Sequence, residues 1–214
     1  MTDKHRTEPC VFQGPAGDLE GLLDFPDGTP RAVAVVCHPN PAQGGTMQNK
    51  VAYILARAFC DMGALSLRFN FRGVGRSAGV FDDAVGEIGD ALAAMDWLMA
   101  RQPSPPLWLG GFSFGSYVAL RAQSRRQVAR LVTVAPAVER FETQHIELPA
   151  CPWVLVQGMD DDVVSPQAVL AWARGLARPP RILEMAGAGH FFHGRLTELR
   201  EAITRAFPVI PDGV

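Results

Sequence analysis

The stretch that decides the fold is Gly111-Phe112-Ser113-Phe114-Gly115, in the middle of the chain. It follows the apolar run Pro106 to Gly110 and precedes the helix-like run Ser116 to Gln123. A small-x-Ser-x-small pentapeptide between a strand and a helix is the pattern of a nucleophile elbow, a strained turn that exposes a serine hydroxyl. The sequence therefore predicts that Ser113 is presented at the carboxyl end of a strand.

The glycines of this pentapeptide have a steric purpose. A side chain at Gly111 or Gly115 is expected to collide with the neighbouring backbone of such a turn. The N–H groups of Phe114 and Gly115, at the start of the helix, would point toward negative charge that develops beside Ser113. A phosphate-binding loop is excluded, because no lysine precedes Ser116 to reach a phosphate.

Composition indicates an ordinary globular protein. With 214 residues, 48% of them apolar and 20% charged, residues 1–214 are expected to form one domain with a substantial core. The formal net charge is −2 and the basic residues are scattered, so the chain has no electrostatic footprint for nucleic acid. No run approaches the ~20 apolar residues needed to cross a bilayer, so no membrane partner is expected.

Cysteine usage and the N-terminus bear on location. The four cysteines, Cys10, Cys37, Cys60 and Cys151, form no paired short spacing. The first residues, MTDKHRTEPC, lack the apolar core of a signal peptide. We therefore expect the protein in a reducing cytoplasm.

Short apolar runs alternate with helical patterns, which favours a mainly parallel sheet with helices on both faces. The first two strands are joined by the turn-rich link Gly14 to Asp18 and should form an antiparallel hairpin. Apolar residues at helical spacing predict helices from Met47 to Met62, ended by Gly63, from Ile88 to Met99, and from Leu196 to Phe207, stopped by Pro208. Eight strands are predicted, at residues 9–13, 19–24, 32–37, 64–71, 106–110, 129–135, 152–157 and 181–186.

This order of elements, with a serine elbow after the fifth strand, resembles the α/β-hydrolase fold. The resemblance implies an α/β architecture with a mostly parallel twisted sheet of about eight strands, an N-terminal antiparallel hairpin and helices on both faces. It also implies that an acid and a histidine follow Ser113 in the chain, each at the end of a later strand.

Three adjacent acids follow the seventh predicted strand. In similar hydrolases a Gly-x-x-Asp-x-x-Val pattern stands here, and it selects Asp161 as the triad acid. Asp162 and Asp160 remain alternatives, since any of the three can instead serve the turn or cap the helix that begins near Ser165.

Two histidines follow the last predicted strand. His190 comes directly after the small-residue turn Ala186 to Gly189, whereas His193 lies one helical turn further on, so His190 is better placed to reach Ser113. A metal site built on His-x-x-His would need clustered acidic or cysteine ligands, and no convincing set accompanies it. We expect neither a metal ion nor an organic cofactor.

An oxyanion hole needs a second N–H donor beside that of Phe114, usually from the loop after the third strand. Within Pro39-Asn40-Pro41 of that loop only Asn40 has an N–H to donate. His38 precedes the nucleophile and stands in a proline-rich loop, so a structural hydrogen-bonding role is expected for it.

The segment Arg72-Gly73-Val74-Gly75-Arg76-Ser77-Ala78 matches part of a dinucleotide-binding fingerprint. That interpretation requires an acid at the end of the next strand, about 20 residues later, but the nearest candidate, Asp96, falls in a helical pattern. In the hydrolase interpretation this is the loop after the fourth strand. Arg72 and Arg76 either brace the loop or attract an acidic substrate, and bracing is favoured.

Taken together, four motifs resemble those of small bacterial α/β serine hydrolases without a lid. The connection Pro136 to Ala150 is too short for a folded lid, so the site should be open to water. Phe112, Phe191 and Phe192, with Phe114, flank the proposed catalytic residues and are predicted to form an apolar substrate-binding wall. The motifs are His-Pro-x-Pro with Gly-Gly-Thr-Met, Asn-Phe-Arg-Gly, Gly-Phe-Ser-Phe-Gly and His-Phe-Phe-His.

The resemblance implies an esterase-like enzyme with a Ser113, Asp161 and His190 triad. The expected substrate is a small or medium, soluble carboxylic ester, cleaved through an acyl-Ser113 intermediate that water clears. A thioesterase or peptidase using the same triad is the nearest alternative, because acyl transfer chemistry is shared and specificity lies in the pocket. A non-catalytic binding protein on the same fold is the alternative from another class.

Overall fold

The computed structural model describes residues 6–101, 105–144 and 146–207. His5, His145 and Pro208 lie outside them. Eight strands form one sheet: β1 (Thr7–Gly14), β2 (Gly17–Asp24), β3 (Ala32–Cys37), β4 (Ala64–Phe69), β5 (Leu107–Phe112), β6 (Arg130–Val134), β7 (Trp153–Gly158) and β8 (Arg181–Met185). Five α-helices accompany them: α1 (Lys50–Asp61), α2 (Val85–Met99), α3 (Phe114–Ala122), α4 (Pro166–Arg174) and α5 (Leu196–Ala206).

The sheet has the order β1-β2-β4-β3-β5-β6-β7-β8. Strand β2 pairs antiparallel with both β1 and β4, and every other neighbouring pair is parallel. The predicted hairpin and the mainly parallel sheet are therefore confirmed. The carboxyl ends of β3, β5, β7 and β8 meet at one edge, where the loops that follow them can share a site.

Alternate residues of the central strands enter two different cores, because successive side chains of a strand point to opposite faces. In β3, Val33 and Val35 join a core with residues of α2, α3 and α4. Ala34 and Val36 join a second core with residues of α1 and α5. Helices thus cover both faces, which explains why these strands are apolar throughout.

Local hydrogen bonds move some element ends by a few residues from their predicted positions. Helix α1 begins at Lys50 because the Asn49 side chain accepts hydrogen bonds from the N–H groups of Val51 at 2.9 Å and Ala52 at 3.3 Å. Strand β4 ends at Phe69, and the N–H of Phe71 instead donates to His38 Nε2 at 3.1 Å. Helix α3 begins directly after Ser113, earlier than the predicted run.

The connection between β6 and β7 contains turns and bends, with no helix or strand among its described residues. This part of the fold is where a lid would enter, so the site at the sheet edge is left without one. Among the described residues, no helix combines the length and the apolar character that a membrane crossing requires.

Candidate active site

Ser113 occupies a strained turn between β5 and α3. Its backbone has φ 54° and ψ −116°, a conformation that non-glycine residues rarely adopt and that costs on the order of 1–3 kcal/mol. The turn is held by the Ser113 N–H, which donates to the Val134 carbonyl oxygen at 2.9 Å. Strain kept in place by surrounding contacts is typical of a functional turn.

The two glycines of the elbow are sterically required. A Cβ on Gly111 would overlap the carbonyl oxygen of Gly115. A Cβ on Gly115 would in turn overlap the carbonyl oxygen of Cys37, at the end of β3. The backbone of α3 therefore approaches β3 and β5 more closely than any side chain would allow, as the pentapeptide predicted.

Ser116 fixes the elbow to the next strand, a role that sequence reasoning missed. Its Oγ donates to the Gly111 carbonyl oxygen at 2.7 Å and accepts from the Val134 N–H at 3.1 Å. The residue has no exposed surface. A hydroxyl inside an otherwise apolar helix face was the available signal, because a buried hydroxyl requires a partner.

Asp161 and His190 form a buried pair. Asp161 Oδ2 lies 2.8 Å from His190 Nδ1, and the two side chains are 0% and 3% exposed. Since a carboxylate only accepts hydrogen bonds, Nδ1 of His190 carries a proton, and Nε2 is the nitrogen left to exchange one. The Phe112 ring packs against His190 with centroids 4.9 Å apart and an interplanar angle of 38°.

The Asp161 carboxylate is held by its own loop. Oδ1 accepts from the N–H groups of Val163 at 2.9 Å and Val164 at 2.8 Å. Burial acts to raise the pKa of Asp161, but the hydrogen bonds from His190 and from these two N–H groups outweigh it and hold the pKa below its usual range. Asp161 is therefore an anion at neutral pH.

Of the three adjacent acids, the structure brings only Asp161 to His190; Asp160 and Asp162 are exposed. Gln157, in the apolar strand β7, also donates to Asp161 Oδ2 at 3.2 Å. Gln157 was not predicted from the sequence, although a polar side chain inside a buried strand is a usable signal. His193 is exposed, with its ring 5.9 Å from that of Phe191.

The loop after β3 stands opposite the elbow. Asn40 is 4% exposed, and its Oδ1 accepts from the Ala42 N–H at 2.9 Å. Its carbonyl oxygen accepts from the N–H groups of Gln43 and Gly45. These bonds fix a tight turn in which Asn40 lines two pockets together with Ser113.

His38 anchors this loop, as expected of a structural residue. Its Nδ1 donates to the Pro39 carbonyl oxygen at 2.7 Å, and its Nε2 accepts from the Phe71 N–H. Burial lowers the pKa of His38 to about 4, against a smaller opposing effect of the bond to Pro39. The ring is therefore neutral at physiological pH, and both nitrogens are used in joining the loops after β3 and β4.

Two pockets open beside Ser113. The smaller has a volume of about 150 Å³ and is lined by Phe114 among others. The larger, of about 380 Å³, is lined by His190 and Phe191. Ser113, Asn40 and His190 thus stand around one cavity, at the sheet edge where the parallel strands end.

The predicted aromatic wall needs correction. Phe191 is 44% exposed and lines the larger pocket, but Phe112 and Phe192 are completely buried in the core beneath α1 and α5. They cannot contact a substrate in this conformation. Phe112 comes at the end of a strand that is buried on both faces, and Phe192 packs in the same core as Phe112.

Arg72 and Arg76 brace the loop after β4, as favoured from the sequence. Arg72 Nη2 donates to Asp90 at 2.8 Å, and Arg76 Nε donates to Glu20 at 3.0 Å.

Asp96 lies within α2, which removes the dinucleotide-binding interpretation. Among residues 6–101, 105–144 and 146–207, no group of three or more histidine, cysteine or acidic side chains is arranged to hold a metal ion.

Comparison with known proteins agrees with this architecture. The model of the family described as serine aminopeptidase, S33, matches residues 28–150. An uncharacterized protein of Rickettsia prowazekii is 34% identical over 202 residues, which cover 90% of this chain and 85% of the relative.

Two solved structures are similar over nearly their whole lengths. An α/β serine hydrolase without a lid from Xanthomonas campestris is 38% identical, with a TM-score of 0.91, covering 96% of this chain and 97% of its own. An α/β serine hydrolase homologue from Coxiella burnetii is 41% identical, with a TM-score of 0.90, covering 97% and 99%. The chain belongs to the α/β-hydrolase superfamily, as a small lidless serine hydrolase of the family that the serine aminopeptidase S33 model describes.

Proposed function

We propose that this hydrolase cleaves small or medium, soluble carboxylic esters through an acyl-serine intermediate, with Ser113, His190 and Asp161 as its triad. The observation that carries the proposal is the buried 2.8 Å hydrogen bond between Asp161 and His190 beside a pocket that Ser113 also lines. It supports an imidazole that is oriented through Nδ1 by a fixed negative charge and uses Nε2 as the base.

The chemistry follows from these roles. His190 Nε2 takes the Ser113 hydroxyl proton as Oγ attacks the ester carbonyl carbon. The negative charge on the carbonyl oxygen is held by the N–H groups of Phe114 and Asn40. When the intermediate collapses, the carbon–oxygen bond to the alcohol breaks and the alcohol takes the proton from Nε2. Water then attacks the acyl group, gives its proton to the same nitrogen, and the acid leaves as Ser113 regains its hydrogen.

The cysteines support serine as the nucleophile. All four are free thiols, which also favours a reducing cytoplasmic location. Burial raises the pKa of Cys10 and Cys60 to about 11 and also raises that of Cys37. Thiols with so high a pKa are almost entirely protonated at neutral pH and are poor nucleophiles. We further expect activity to survive prolonged chelation, because the proposed triad needs no metal ion.

A serine aminopeptidase is the second candidate, favoured by the description of the matching family and by one side chain. Glu139 lines the smaller pocket with Ser113, where a carboxylate can hold the ammonium group of an amino-terminal residue. Arg140 lines the same pocket and pairs with Asp83 at 3.4 Å. The pocket therefore carries both charges, which gives an ammonium group little net advantage, and esters are favoured.

A comparison of matched substrates tests the proposal. Alanine p-nitroanilide, p-nitrophenyl butyrate and a butyryl thioester should be offered to the wild-type protein and to Ser113→Ala. We expect the oxygen ester to have the highest kcat/KM, with all turnover dependent on Ser113. A preference for the anilide that is lost in Glu139→Gln would instead establish the aminopeptidase.

A further inference from the structure

The two pockets beside Ser113 extend in different directions from it and are lined by different residues at their far ends. Both share Ser113 and Asn40 in their walls, so they meet at the proposed reaction centre. The smaller continues to Ala137 and Val164, and the larger continues past His190. A substrate attacked by Ser113 therefore has two separate spaces for the two groups attached to its carbonyl carbon.

Resting on the proposed function, we propose that the smaller pocket takes the acyl group of the ester and the larger pocket takes the alcohol. The alcohol oxygen must receive the proton held by His190 Nε2, so the leaving group has to lie on the side of the histidine. His190 lines the larger pocket. With the carbonyl oxygen directed to Asn40 and Phe114, the acyl chain is left with the smaller pocket.

The volume of the smaller pocket sets the length of the acyl group. A cavity of about 150 Å³ accommodates a molecule of the size of benzene, with about six carbon atoms. Its inner wall is apolar, formed by Ala137, Val164 and Phe114, each at most 9% exposed. Glu139 and Arg140 are exposed at the rim. The substrate class is therefore esters of short aliphatic acids, of up to about six carbons.

The larger pocket favours a bulkier, aromatic alcohol. Its volume is about 380 Å³, more than twice that of the acyl pocket. Phe191 contributes an exposed ring, packed edge to face against His190 with centroids 5.0 Å apart. An aromatic leaving group can pack on such a ring. Ala137 thus determines acyl specificity, and Phe191 determines alcohol specificity.

Two ester series test the partition. In the first, the acyl chain of p-nitrophenyl esters grows from acetate to octanoate; in the second, the alcohol of butyrate esters changes from methyl to benzyl. Ala137→Val and Ala137→Leu should shorten the tolerated acyl chain in two steps. Ala137→Leu should lower the hexanoate-to-acetate ratio of kcat/KM by at least about tenfold. Both variants should leave the benzyl-to-methyl ratio within about twofold.

Phe191→Ala provides the reciprocal test, with Phe191→Leu as the matched control that keeps apolar bulk. The benzyl-to-methyl ratio should fall by about threefold to tenfold in Phe191→Ala and less in Phe191→Leu, with the acyl series unchanged. If the Ala137 variants change the alcohol series, or the Phe191 variants change the acyl series, the partition is wrong while the esterase proposal stands. Absence of Ser113-dependent turnover of every ester would overturn both.

Discussion

Asp161 Oδ2 accepts a hydrogen bond from His190 Nδ1 at 2.8 Å, whereas the neighbouring carboxylates of Asp160 and Asp162 are exposed to solvent. Variants of Asp160 and Asp162 are therefore matched controls for a variant of Asp161. Asp161→Asn should lower kcat for an ester by about four orders of magnitude, because an amide cannot hold the histidine in its basic tautomer or stabilise its cation.

Steady-state kinetics on all three Asn variants checks this prediction. Asp160→Asn and Asp162→Asn should retain kcat within about threefold. The role of triad acid would move to Asp160 or Asp162 if its Asn variant lost more kcat than Asp161→Asn did. That variant must also unfold at the same denaturant concentration as the wild type.

The elbow glycines are expected to be intolerant of substitution. Gly111→Ala and Gly115→Ala each introduce a Cβ that overlaps a backbone carbonyl oxygen, and neither strand nor helix can move away without losing hydrogen bonds. Each should lower the free energy of unfolding by at least about 2 kcal/mol. Urea unfolding followed by circular dichroism measures the loss.

Gly89→Ala is the matched control for these variants. Gly89 lies inside α2, and its added Cβ would meet side-chain atoms and no backbone oxygen, with Pro15 Cγ at 3.3 Å and Arg72 Nη2 at 3.8 Å. Alanine is favoured over glycine by about 1 kcal/mol in a helix interior, so this variant should be neutral or slightly stabilised. Unfolding of both elbow variants at the wild-type urea concentration would refute the steric account.

The elements whose geometry follows directly from a local residue pattern could be predicted from the sequence. Short apolar runs predicted all eight strands, apolar residues at helical spacing predicted α1, α2 and α5, and Gly63, with φ 90°, follows the end of α1 as predicted. Bracing by Arg72 was also favoured from the sequence over attraction of an acidic substrate, and Arg72 pairs with Asp90.

A local residue pattern does not predict whether a side chain in the loop after a strand points into the core or into solvent. Phe191 and Phe192 are adjacent and chemically identical, yet Phe191 is exposed and Phe192 is buried in the core with residues of α1 and α5. Gln157 and Ser116 act through hydrogen bonds to residues brought near only by the sheet. Such contacts depend on tertiary structure, which a local pattern does not contain.

Acidification should destabilise the protein through His38. Burial gives this histidine a folded-state pKa of about 4, below the ordinary value of 6.5 that applies to the unfolded chain. Between these pH values the unfolded state binds more protons than the folded state, so the free energy of unfolding falls as the pH falls. The loss should reach about 3 kcal/mol at pH 4.

The check is to compare unfolding free energies at several pH values from 7 to 4 for the wild type and His38→Gln. Glutamine does not titrate, so the variant should show a shallower decline with falling pH, although other groups such as Asp161 keep some dependence. Equal slopes for the two proteins would mean that His38 does not remain neutral in the folded state.

The open site should produce ordinary saturation kinetics. Lidded lipases gain activity at an oil surface when the cover moves aside, and the connection between β6 and β7 offers no such cover among its described residues. As the tributyrin concentration increases, the rate should level off before the solubility limit is reached. It should not increase again once the concentration exceeds that limit. A sharp increase on emulsification, or a preference for long-chain triglycerides, would contradict the proposed substrate class.

The most direct test of the acyl-serine proposal is to identify the residue that is modified by a phosphorylating ester analogue, diethyl p-nitrophenyl phosphate. Intact mass spectrometry followed by peptide mapping should show one diethylphosphoryl group on Ser113, formed in step with the loss of esterase activity. Folded Ser113→Ala should acquire no such group and should turn over esters about three to six orders of magnitude more slowly. Modification of another residue with loss of activity, or near wild-type turnover by folded Ser113→Ala, would contradict the proposal.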